Sequence, residues 1–124
     1  MRTRKTYSVK DFRSPVSLAA HRQPDGTYWY NTRRHELTPP MPPREMGKGY
    51  PRWEIEHRGR ILFFASKEEI LDVIDVMGKR VLPRPQDLQG DGSFGGKHWL
   101  SRIHKSWTPW KVRQRLVRHL AELL

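Results

Sequence analysis

The stretch over residues 52–78 constrains the fold of this chain more than any other. Residues 52–56 and 60–64 are strand-prone runs that flank His57, Arg58 and Gly59, the pattern of a hairpin with glycine at its turn. Trp53 and Ile55 alternate with Glu54 and Glu56, which predicts one buried and one wet face. Ser66, followed three residues later by Glu69, is a capping box that opens a helix running through Met77. Ile70, Val73, Ile74 and Met77 line its apolar side, while Glu68, Asp72 and Asp75 gather opposite, and Gly78 supplies the stop. The expected fold class is therefore α+β: small antiparallel β-hairpins packed with two to three helices. This central ββα unit is joined by a C-terminal amphipathic helix and an extended basic N-terminal arm.

The C-terminal helix is the clearest functional hint. Thr108 is the expected N-cap, and Pro109 suits the first helical position, whose N–H has no partner. At helical spacing Val112, Leu116, Leu120, Leu123 and Leu124 form an apolar arc with Trp110, Val117 and Ala121 on its flank. Lys111, Arg115, Arg118 and His119 collect on the other side, relieved only by Glu122. Arg113 projects into the apolar arc. A charge there must be paired within the chain or met by a partner, so Arg113 is the candidate partner-binding residue.

The remainder reads as attachments to this core in one domain. Residues 1–14 form a basic arm carrying Arg2, Arg4, Lys5, Lys10 and Arg13, with a short strand at 6–10 weakly signalled. Residues 15–37 read as an aromatic hairpin, with strands at 18–23 and 27–32 joined through Pro24, Asp25 and Gly26. Tyr28 and Tyr30 share one face, Trp29 takes the other, and Arg33, Arg34 and His35 follow directly. Residues 38–51 are a proline-rich strap, extended and suited to a semi-rigid spacer. Residues 52–124 are the α+β core. Within them residues 79–93 form a long loop, and a short helix is expected over residues 98–104. Trp99 and Trp110 are expected inside and Trp107 more exposed.

Charge points to the class of partner. The 124 residues carry 24 Lys and Arg against 13 Asp and Glu, a formal net charge of +11. Residues 1–50 hold +6, residues 51–90 balance to zero and residues 91–124 hold +5. A neutral middle between two cationic ends suits a polyanion if the ends converge. Arg33, Arg34, Lys97, Arg102, Lys105, Lys111, Arg115 and Arg118 are the expected phosphate contacts, and Tyr28, Tyr30 and Trp107 the expected stacking residues.

Other functions fit less well. The run ending in Gly96, Lys97 and His98 departs from a phosphate-binding P-loop: Asp91 stands where the first glycine belongs, and His98 replaces the magnesium-binding hydroxyl. It retains only the looser capacity of glycine N–H groups to hold a phosphate. The six histidines show no metal-ligand spacing, and with no cysteine there is neither a disulfide nor a thiolate metal site. No cofactor is expected. No apolar run reaches membrane-spanning length and no secretory leader is evident, so the chain is expected in the cytoplasm, a reducing compartment. The expectation is a non-catalytic nucleic-acid-binding protein, RNA ahead of DNA, serving as an accessory subunit of a larger nucleoprotein assembly. Its alternatives are a protein-interaction adaptor docking through the C-terminal helix, and a metal-dependent nuclease using His98 or His104 with Asp91.

Overall fold

Strand alternation in the central segment does build a sheet, and the chain's first residues complete it. The computed structural model describes residues 1–25, 27, 31–88 and 98–124. Its strands are β1 (Arg2–Ser8), β2 (Tyr50–His57) and β3 (Arg60–Phe64), antiparallel throughout and ordered β1-β2-β3. The helices are α1 (Ser17–Ala20), α2 (Lys67–Met77) and α3 (Trp110–Glu122). This is the α+β class expected from the sequence. None of the described helices is long and apolar enough to cross a membrane.

The β2–β3 hairpin turns on two residues, Arg58 and Gly59, with φ of 52° and 79°. Positive φ at both positions gives a turn whose twist matches the strands, and glycine adopts it freely. Trp53 and Ile55 point into the core as predicted, at 5% and 0% exposure. The opposite face is less wet than the alternation implies. Glu54 is buried because Arg4 from β1 and Arg52 each hold its carboxylate at 2.6 Å. Burial alone raises the pKa of Glu54, but the hydrogen bonds from Arg4 and Arg52 outweigh it and leave the pKa lowered. Residues 2–8 of the segment read as an arm are thus a paired strand. Their register sets Arg2 against Glu56 and Ser8 against Tyr50.

The capping box forms, with one change. Ser66 Oγ accepts the Glu69 N–H at 3.2 Å, while the Glu69 carboxylate takes the N–H of Ala65 at 3.0 Å. Glu69 is fully buried and also accepts the hydroxyls of Ser14, of Ser17 at 3.0 Å and of Ser66 at 3.1 Å. His21 Nε2 lies 3.2 Å from the same carboxylate, and its Nδ1 donates to the Pro39 carbonyl at 2.6 Å. Burial favours the neutral acid, yet the bonds from His21, Ser14 and Ala65 keep the Glu69 pKa lowered. One carboxylate therefore ties together α1, α2 and the proline strap.

That network overturns the expected strand at 18–23. Ser14 N–H donates to Ser17 Oγ at 2.9 Å, and Val16 N–H to Ser14 Oγ at 3.1 Å, so serine side chains fold the backbone into α1 instead. The turn at Pro24 forms, with Thr27 N–H on the Pro24 carbonyl at 3.1 Å. Tyr28, Trp29 and Tyr30 lie outside the described residues. The strap is anchored: Arg22 and Thr38 exchange two backbone bonds of 2.9 Å, and Leu37 and Met41 bury with Ala65 against Phe12.

Gly78 ends α2 as expected, at φ −76°, where a Cβ would sit 2.7 Å from the Ile74 carbonyl oxygen. Towards the C-terminus two further readings are corrected. In place of a helix over 98–104 stand two 3-10 turns, Trp99–Ser101 and Lys105–Trp107, opened by the side chains of His98 and His104. Thr108 does not cap α3; its hydroxyl bonds the Lys105 carbonyl at 2.7 Å, and Pro109 holds the N-cap position. Trp99 and Trp107 join Ile55, Phe64, Ile70, Met77, Leu116 and Leu120 in the main core.

Candidate nucleic-acid interface

The antiparallel register brings the chain's first residue to the turn end of the sheet. Arg2 pairs with Glu56, so Met1 and its ammonium group stand beside His57, the last residue of β2. His57 is buried and packs on Trp107, with ring centroids 5.7 Å apart. Its pKa is lowered, first by burial, then by Arg58, Arg115 and the N-terminal ammonium. These cations come from the hairpin turn, from α3 and from the start of the chain. The start of the chain and α3 therefore both reach His57, while Arg4, Lys5, Arg13, Arg33 and Arg34 of the basic N-terminal segment are held by carboxylates instead.

Around this point the surface is cationic. Arg58, Arg60, Arg102, Lys105, Lys111, Arg115 and Arg118 are all exposed. None of them forms an ion pair with a described carboxylate, and neither do Arg2, Lys10, Arg22, Arg44, Lys48, Lys67 and Arg80, whereas Arg4, Lys5, Arg13, Arg33, Arg34, Arg52, Lys79 and Arg84 do. Unneutralised exposed cations on adjoining elements are what a phosphate backbone meets. Arg58 and Arg60 were not singled out in the sequence, although two arginines flanking a hairpin glycine are the signal that marks them.

Other expected contacts fall elsewhere. Arg33 and Arg34 lie beside Tyr50, at the opposite end of β2 from His57. Seven residues of strand separate those ends, about 23 Å. Arg33 is exposed and 4.0 Å from Glu36, but Arg34 is buried. Its guanidinium bonds Asp11, donates to the Pro42 carbonyl at 2.9 Å and covers the Tyr50 ring at 4.6 Å. Arg34 is thus a structural cation rather than a free phosphate contact. Tyr28, Tyr30 and Lys97 lie outside the described residues.

Trp107 corrects the expectation most directly. At 1% exposure it is core, and no base stacks on it in this conformation. Arg113 is also taken up inside. Nε donates to the Thr108 carbonyl at 2.7 Å, and Nη1 and Nη2 reach the carbonyls of Met77, Lys79 and Arg80 at the end of α2. Burial, then Arg80, lowers its pKa. A guanidinium fork on the last carbonyls of a helix satisfies groups that lack intrahelical partners and opposes the negative end of the dipole. That is how this charge is met within the chain, without a carboxylate and without a docked partner.

The described residues contain no group of three His, Cys, Asp or Glu side chains able to hold a metal, and Asp91 lies outside them. His98 accepts the Leu100 N–H through Nδ1 at 3.1 Å. The cluster of His21, Ser66 and Glu69 has the residue types of a hydrolase, but all three are 0% exposed and no substrate reaches them. No family model, curated protein or solved structure matches this chain.

Proposed function

We propose that the chain is a non-catalytic nucleic-acid-binding protein that serves as an accessory subunit of a larger nucleoprotein assembly. The reading rests on one observation: Arg58, Arg115 and the N-terminal ammonium converge on His57, with no carboxylate among them. Lys111 and Arg118 extend this patch along α3, and Arg60, Arg102 and Lys105 extend it across β3 and the loop before α3. Cations spread over a turn, an edge strand, a loop and a helix suit a folded or single-stranded chain better than one major groove, which places RNA ahead of DNA. Arg113, on which the adaptor reading rested, is engaged by α2.

The test is retention of labelled RNA as salt rises. Five phosphate contacts imply about a hundredfold loss of affinity between roughly 50 and 200 mM salt. The double reversal Arg58→Glu with Arg115→Glu abolishes binding, while Arg33→Glu, at the far end of the sheet, leaves it unchanged. A flat salt response, or retention by the doubly reversed protein, refutes the proposal.

A further inference from the structure

Beside the cationic patch, β3 and the loop before α3 enclose a groove of about 460 Å³. That lies within the roughly 300–1,000 Å³ of small-ligand pockets. Pro15, Leu62, Ile103 and the edge of Trp107 give it apolar walls, with Arg60 and Arg102 at its rim. Arg102 reaches across to the Pro15 carbonyl at 3.4 Å with one of its donors and keeps the others. His104 also lines it. Nδ1 of that ring accepts the Ser106 N–H at 3.1 Å, so in the neutral ring Nε2 carries the proton and offers a donor.

The groove has a second feature that a charged surface alone lacks. β3 is an edge strand. His57 and Arg60 flank the two-residue turn and exchange hydrogen bonds, so along the antiparallel pair Leu62 also bonds β2 and Ile61 does not. The N–H and C=O of Ile61 therefore point away from β2, on the side where Ile61 lines the groove, and no hydrogen bond of the described residues uses them. A donor and an acceptor side by side match the edge of a nucleobase. A strand-adding peptide pairs along a longer edge, whereas the groove meets β3 only at Arg60, Ile61 and Leu62.

We infer that this groove holds one unpaired nucleobase, read by the Ile61 backbone between apolar walls, with Arg60 and Arg102 on the adjoining phosphates. The inference rests on the nucleic-acid reading and adds to it a site for a single-stranded or extruded nucleotide. It is tested by fluorescence anisotropy with three labelled probes of equal length: single-stranded RNA, an abasic backbone and a duplex. Wild type prefers the single strand to the abasic chain by about tenfold or more. Ile61→Pro removes the outward N–H without removing a bond to β2, as proline is tolerated on a sheet edge. In this variant the single strand falls to the abasic level while abasic and duplex binding persist. Independently of how the variant folds, wild-type amide spectra are recorded with nucleoside monophosphates, and the Ile61 amide moves. Equal binding of single-stranded and abasic probes, an unmoved Ile61 amide, or movement with an acidic peptide in place of nucleotides overturns the groove alone. No binding of any probe at low salt overturns the wider reading as well.

Discussion

Replacing Arg113 by methionine isolates the contact that joins α2 to α3. Methionine keeps the length and apolar bulk of the side chain but deletes every donor. Of the four carbonyl contacts, the bonds to Thr108 (2.7 Å) and Lys79 are short, while those to Met77 (3.3 Å) and Arg80 (3.4 Å) are long. A short bond from a charged donor contributes about 1.5–3 kcal/mol, and the guanidinium over Trp110 at 4.9 Å adds about 0.5–1 kcal/mol. Relief from burying the cation offsets part of this, since desolvation already lowers its pKa. The expected net loss is about 3–4 kcal/mol, a large share of the roughly 5–15 kcal/mol that holds a domain folded. Arg113→Lys restores the charge but not the fork, and should recover about half of that loss. Urea unfolding at neutral pH, followed by tryptophan fluorescence, measures both variants. A methionine variant within about 1 kcal/mol of wild type, or a lysine variant equal to it, refutes the argument that a fork on α2's carbonyls holds these helices together.

Acid sensitivity should appear in two stages. His57 and Glu69 both have lowered folded-state pKa values, so each contributes stability above its unfolded value that is lost as pH falls towards and through the folded one. Stability is flat above pH 7, declines below about 6.5 because the unfolded chain takes up a proton that folded His57 resists beside Arg58, Arg115 and the N-terminus, and declines again below about 4.5 through Glu69 and Glu54. Urea midpoints measured across pH check this, and His57→Gln should remove the first stage only. Capping gives a further contrast in the same unfolding assay: Ser66→Ala should cost about 1–2 kcal/mol and Thr108→Ala less than about 0.5 kcal/mol, and equal costs would contradict the cap assignments.

How much was legible in the sequence depended on how local the physics was. The ββα unit showed because alternation, a two-residue turn and a cap three residues from its acceptor are settled within a few neighbours. The Ser14–Ser17 turn was missed because its serines gain their role from Glu69, some 50 residues on. Thr108 was misread as a cap by a shift of one residue, since Pro109 itself takes that place.

For the candidate site, the amino-acid order alone determined that cations crowd both ends and spare the middle, and that α3 has one basic face. Only the tertiary structure decided which cations remain free. Arg34 and Arg113 are surface residues by type and Trp107 stands among cations, yet carbonyls, Asp11 and the core absorb them. The first residue comes to His57 and Arg58 because β1 runs antiparallel to β2, setting Arg2 against Glu56, and Arg115 comes to the same histidine from α3. Composition counts charges, but their neutralisation depends on distance, and distance between remote residues exists only once the chain is folded.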